Sequence, residues 1–399
     1  MIRNVQIFLN NKLGSCDTIV PYILSLKNLN KNLNVTYNIF DYKSFEDIKK
    51  NEFLYRALCD TGQLYLRGGS RSNNYFTISI LKIKLFLFII SIFIKLVTSN
   101  TRIIHFGILS YYQFRLLGKI FPKKIFLMEQ LCWHQHENGE ILNNILVKRS
   151  TKKKDKLFKT NKNIIYFNKN YLFNQNTNNL NLIFMKNPRT YDTWVNYVLK
   201  LGVPKVKSYL KSLGYNYEKG YFLYILGYIG KSDHLQEDNT LERLIPETLK
   251  LLSENGKDTP ILIKPHTITD INILNKIIKK HGNDNVHITY LHPAVLSINA
   301  KLVISNYYSN SLADANFFGA TTVEYSHYSE YALKATKGIS ECPEYTDYFI
   351  NNDSKKFQEI ILSSINEKKK NKLKDTYQDQ DSSSLVAEFN SNYFMLLKK

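Results

Sequence analysis

Acidic residues are scarce in this chain. Asp and Glu number 34 against 54 Lys and Arg, a formal charge of +20 over 399 residues. Cysteine is scarcer still, and Cys16, Cys59, Cys132 and Cys342 form no CxxC pair. Scattered thiols exclude a disulfide scaffold or a cysteine-rich zinc site and suit a reducing compartment. Zinc-finger spacing, an RNP-type aromatic signature and a basic-helix zipper are all missing, which excludes the familiar nucleic-acid readers despite the positive charge. Two sources of the lysine excess remain. One is an anionic partner such as a lipid surface or an acidic polymer. The other is codon drift, since Lys, Asn, Ile, Tyr and Phe, the residues favoured by A+T-rich coding, dominate the chain.

No clustered set of His, Asp and Glu has metal-ligand spacing, so chemistry without a metal or cofactor is expected. Asp379-Gln380-Asp381 fits an Asp-x-Asp pattern but lies in a polar tail. The first ten residues lack an apolar core followed by a small-residue cleavage site, so a cytoplasmic location is expected. An uninterrupted apolar run of membrane-spanning length, about 20 residues, is also missing. Ile78 to Val97 is apolar apart from Ser79, Lys82, Lys84, Ser91 and Lys95. This stretch predicts a helix that is buried or embedded in a surface. A basic cluster at Lys148, Arg149, Lys152, Lys153, Lys154, Lys156, Lys159 and Lys162 is either a solvated loop or, with the lysines above, a contact for anionic headgroups on the inner membrane face.

What is present in quantity is apolar residues, 44% of the chain and 13% aromatic, enough for two domain cores. Val5–Leu9, Val35–Phe40, Ile103–Phe106, Ile125–Met128, Ile164–Phe167 and Leu182–Met185 are short β-like runs separated by helical stretches. Such alternation predicts βα units on a parallel sheet. A helical connection follows from Asn187 to Gly220. A second series then begins, with strands at Tyr221–Leu226, Pro260–Lys264, Val286–Tyr290, Leu302–Ser305 and Thr321–Tyr325. Its helices are Leu241–Leu252, Ile271–Lys280 and Leu312–Phe318. After the polar residues 378–384, residues 385–397 predict a terminal helix. The expected fold class is α/β, with two doubly wound Rossmann-like domains facing across a cleft and a C-terminal helix crossing back. The boundaries are 1–200, 215–375 and 384–399.

The chemistry gathers between Thr259 and Glu324. Pro265 disfavours helix at Lys264 and sends the chain out of its strand. His266 then stands at the carboxyl edge, where it either donates to a phosphate or protonates a leaving oxygen, or is satisfied by backbone. Ser309, Asn310 and Ser311 precede a helical run, so they either cap it or hold an anion with its free N–H groups. Gly227 and Gly230 bracket a turn after a strand, where backbone must pass close to a ligand. The full GxGxxG pattern is missing. His292, before Pro293, lines a base or ribose pocket or makes an ordinary turn. Glu324 and Asp314 are placed to hydrogen-bond a ribose.

Lys-Pro-His at a strand end, an apolar strand, a Ser-rich turn and a helix closed by Gly319 before another strand together resemble bacterial glycosyltransferases of the GT-B fold. More narrowly they are similar to the CMP-sugar-dependent sialyltransferases and Kdo transferases of capsule and lipopolysaccharide synthesis. Here Thr267 replaces the usual Pro after His266, and Asn310 interrupts the serines. Glu137-Asn138-Gly139 is the match to the acidic motif of those families. The resemblance implies that Glu137 is the base that deprotonates an acceptor hydroxyl, with Glu129, His134 and His136 as rivals. It implies that His266 meets the departing phosphate, held by Ser309 and Ser311, with Lys264 adding charge. The first domain would bind a glycan or glycolipid acceptor, and the second the CMP-sugar or another nucleotide-sugar donor. Two alternatives remain. One is a UDP-sugar or CDP-glycerol-type transferase of the same fold. The other is a non-catalytic nucleotide-sugar-binding homologue.

Overall fold

The computed structural model describes residues 4–9, 13–70, 75–106, 112–128, 162–166, 180–185, 188–227, 241–256, 258–266, 269–307, 309, 311–340 and 343–366. They form two compact units, one running to Asn196 and the other starting at Tyr197. The predicted tail helix, and all of the basic cluster except Lys162, lie outside the described residues.

In the first unit, β1 (Asn4–Leu9), β2 (Asn34–Asp41), β3 (Gln63–Ser70), β4 (Thr101–His105), β5 (Ile125–Met128), β6 (Asn163–Tyr166) and β7 (Asn181–Phe184) form one sheet. Their order is β3-β2-β1-β4-β5-β6-β7, every pair parallel. Its helices are α1 (Leu13–Leu29), α2 (Tyr42–Lys50), α3 (Glu52–Thr61), α4 (Tyr75–Thr98), α5 (Tyr112–Ile120) and α6 (Asp192–Tyr197). Every position of β4 and β5, and all but Asn4 of β1, is buried, and Ile7–Leu9, Ile103–Ile104 and Ile125–Met128 are the apolar stretches that this cover on both faces produces. Asp41 caps α2 by accepting from Ser44 N at 2.7 Å, and Asn51 caps α3 by accepting from Leu54 N. Part of the core consists of Phe8, Phe88, Ile92, Leu96, Ile103, Phe114, Leu117 and Ile125, and thus includes one face of α4.

The second unit repeats the scheme. β8 (Tyr221–Ile225), β9 (Ile261–Lys264), β10 (Val286–Ile288), β11 (Ala300–Ser305), β12 (Thr321–Ser326) and β13 (Tyr348–Asn351) are all parallel, in the order β10-β9-β8-β11-β12-β13. Helices α7 (Val203–Ser212), α8 (Leu241–Asn255), α9 (Ile271–His281), α10 (Pro293–Ser297), α11 (Ser311–Phe317), α12 (Glu330–Thr336) and α13 (Ser354–Asn366) connect or follow them. One sheet face packs Phe222, Tyr224, Ile263, Ile304 and Tyr325 against Leu244, Leu249, Leu274 and Phe357 of the helices. Tyr325 stacks on Phe357 with ring centroids 4.3 Å apart. The helical segment before the sheet widens into a π turn at Val198–Gly202, just ahead of Pro204. Proline has no N–H to donate, and the wide turn absorbs that missing bond.

The expectation of two doubly wound parallel units is met. Three strand readings change in detail. Residues 289 and 290 belong to the exit of β10 rather than to the strand, while β3 and β13 had no counterpart among the expected strands.

Candidate nucleotide site

In each sheet the chain winds outward from a central strand, returns, and winds out the other way. The direction reverses between β8 and β11 in the second unit. A ligand of an open α/β sheet binds beyond the carboxyl ends at such a reversal. Register places Lys264 of β9, Ile225 of β8, Ser305 of β11 and Glu324 of β12 in one row across the sheet. With strands about 4.8 Å apart, Lys264 and Ser305 are roughly 10 Å apart along that row. Two residues further on, the same edge carries His266, Gly227, Tyr307 and Ser326.

Gly227 and Asn306 tie the reversal together. Asn306 is fully buried and its Oδ1 accepts from Gly227 N at 2.9 Å. Its Nδ2 is buried without a partner among the described residues. A Cβ on Gly227 would stand 2.6 Å from Tyr307 Cβ, so only glycine fits. Backbone does pass close here, and what approaches Gly227 is Tyr307. Substituting alanine is therefore expected to destabilise the second unit by about 1–3 kcal/mol, as overpacking does. Urea denaturation of Gly227→Ala followed by circular dichroism measures this.

His266 stands at the exit of β9 with an exposed side chain. Partial desolvation, and secondarily the Lys264 ammonium, hold its imidazole below the ordinary histidine range. It is thus mostly neutral at pH 7, able to donate from one nitrogen and accept at the other. Lys264 Nζ lies 5.8 Å from the centroid of Tyr290, over its ring. This places a cation beside His266 on the edge where an anion would sit.

The serines serve first as caps. Ser309 Oγ accepts from Ser311 N at 3.3 Å, and Ser309 O accepts from Leu312 N, starting the seven-residue α11. So short a helix adds little dipole, and an anion would rely on the hydroxyls. His292 is buried, with Nδ1 accepting from Ala294 N at 3.2 Å as the cap of α10. Glu324 is buried and receives hydrogen bonds from Tyr328 Oη and Ser340 Oγ. Gly230, Asn310, Thr267 and Glu137, with Glu129, His134 and His136, lie outside the described residues. Among the described residues, no group of three His, Cys, Asp or Glu is placed to hold a metal ion.

The sequence matches no family model and no curated protein. Its course of chain does match solved structures. UDP-N-acetylglucosamine 2-epimerase from Rickettsia bellii aligns with TM-score 0.53 at 10% identity, covering 99% of this chain and 100% of that one. UGT71G1 of Medicago truncatula complexed with UDP-glucose aligns with TM-score 0.51 at 13% identity, covering 97% of each chain. A ugt transferase from Siraitia grosvenorii in complex with UDP aligns with TM-score 0.53 at 8% identity, covering 99% and 100%. The fold is GT-B.

Two polar residues of this GT-B chain were not anticipated at the sheet edge. His327, just past β12, is buried with Nε2 3.4 Å from Glu247 Oε1, and Tyr325 Oη donates to the same oxygen. The His327 contact first, and then the Tyr325 hydrogen bond, hold the Glu247 carboxyl below the usual carboxylate range against the cost of desolvation. Asn306 is the other. In both cases the available signal is a polar residue directly after the last residue of a buried strand, Asn306 after Ser305 and His327 after Ser326.

Proposed function

We propose that the protein is a glycosyltransferase that takes a sugar from a pyrimidine nucleotide-sugar donor bound at the carboxyl edge of the second sheet. The observation that carries this reading is the reversal between β8 and β11, closed by the Gly227–Asn306 hydrogen bond, with His266 and Lys264 at the adjacent strand exit. His266 would donate to, or protonate, the departing phosphate, and Lys264 would oppose its charge. Ser309 and Ser311 would add hydroxyl donors. Glu137 would take the proton of the acceptor hydroxyl, a role that rests on the resemblance of Glu137-Asn138-Gly139 to an acidic motif.

Two donor readings follow from different observations. Lys264-Pro265-His266 and the serine turn resemble enzymes that use CMP-sugars, which supports an acidic sugar of the sialic acid or Kdo type and a cell-surface glycan or glycolipid acceptor. The solved structures with UDP or UDP-glucose support a UDP-sugar donor on the same edge. Incubation with a surface-glycan acceptor and CMP-sialic acid, CMP-Kdo, UDP-glucose or UDP-N-acetylglucosamine is expected to pass sugar to the acceptor and release free nucleotide from one donor class only. An altered sugar still attached to its nucleotide would mark an epimerase instead and contradict transfer. Absence of any turnover, together with tight nucleotide binding, would mark a non-catalytic binding protein.

A further inference from the structure

Helix α4 has two apolar faces. One, with Leu81, Phe88, Ile92 and Leu96, is buried, the last three in the core around β1, β4 and β5. The other is bare. Ile80, Ile83, Phe86, Leu87, Ile90, Ile94 and Val97 all face solvent, with Ile83 and Phe86 each 64% exposed and Leu87 59% exposed. At about 100° per residue these side chains form one stripe opposite the buried face, about 26 Å long from Ile80 to Val97. Lys82 falls roughly a quarter-turn to one side of the stripe, and Lys84 and Lys95 to the other. No Asp or Glu occurs anywhere in α4. Neighbouring α5 exposes Leu116 and Ile120 and is followed by Phe121, whose ring meets Phe93, and by exposed Lys123.

We infer that this face lies on an anionic lipid bilayer. A stripe this apolar exceeds the scattered exposure normal for a protein surface. Its lysines flank the stripe on both sides, where long stems lie along the acyl boundary and ammonium groups reach the phosphates. A dimer seam built on the same stripe would bring Lys82, Lys84 and Lys95 of two copies together, with no carboxylate on the helix to meet them. The helix does not cross the bilayer. No helix among the described residues is long and apolar enough to do so, and the opposite face of α4 is committed to the core. The protein thus rests on the membrane along α4, a property that does not depend on which donor it uses.

Co-sedimentation of the full chain with vesicles tests this. The protein is expected to pellet with vesicles of equal parts phosphatidylglycerol and phosphatidylcholine, and not with phosphatidylcholine alone. Ile83→Glu with Leu87→Glu is expected to weaken that partition about tenfold or more, since it puts charge into the acyl boundary. Both side chains are exposed, so far-UV circular dichroism should be unchanged. If the pair nonetheless misfolds, Lys82→Ser, Lys84→Ser and Lys95→Ser combined must abolish the preference for phosphatidylglycerol. Sedimentation unaffected by these substitutions overturns the inference. So does failure to pellet with either vesicle, whether ultracentrifugation then shows a dimer or a monomer whose face is closed by its own residues 384–399.

Discussion

His266→Ala is expected to slow sugar transfer about 10²–10⁴-fold, the range for removing a general acid or its equivalent. Nucleotide affinity should fall much less, because Lys264, the serine hydroxyls and the buried Asn306 scaffold are untouched. The pH dependence separates this from a structural defect. In the free protein, desolvation and then Lys264 depress the His266 imidazole, so protonation favours the unfolded chain. Stability is therefore lost as pH falls below about 6.5. A phosphate beside the ring reverses the preference and raises its pKa. Binding then takes up a proton, and affinity climbs as pH falls through the bound-state value, levelling off below the depressed free-state value. Comparing the wild type with His266→Asn cancels the titration of the nucleotide itself. Calorimetric titrations between pH 8 and about pH 5.5 should show the slope in the wild type only. Identical slopes would remove His266 from the phosphate.

Glu137→Gln is expected to cost a comparable factor, about 10²–10⁴ in turnover, with nucleotide binding retained. Glutamine keeps the shape of glutamate and loses its ability to accept a proton. The variant's rate should therefore rise with pH as the acceptor hydroxyl ionises without help, while the wild type levels off. Steady-state kinetics at a series of pH values reads this directly. A variant as fast as the wild type would move the base to Glu129, His134 or His136.

Much of the fold was legible because parallel strands covered on both faces read as unbroken apolar runs. Tyr221–Ile225, Ile261–Ile263 and Leu302–Ile304 are of this kind. β3 was not, since it is the outermost strand, mixes exposed with buried positions and carries glycines that blur its pattern. α4 carries apolar residues all round, so periodicity did not say which face the core would take. At the site, His266 was legible from Pro265, which forces the strand exit. Asn306 was harder to single out. Its partner Gly227 lies 79 residues away, and only the pairing of β8 with β11 brings them together. His292 shows the opposite limit, because a His-Pro pair at a strand exit also suits a helix cap, and the geometry here is that of a cap.

The central claim is a nucleotide site at the reversal between β8 and β11. Its most direct test is calorimetric titration of CMP, UDP, CDP and GDP into the wild type and into Gly227→Ala. The wild type should bind one pyrimidine nucleotide, with about 2.7 kcal/mol of added stability at a hundredfold excess over Kd. The variant, whose new methyl displaces Tyr307 at the reversal, should bind the same nucleotide at least tenfold more weakly, a loss of about 1.4 kcal/mol. Failure of every nucleotide to bind, or equal affinity in the two proteins, would contradict the account.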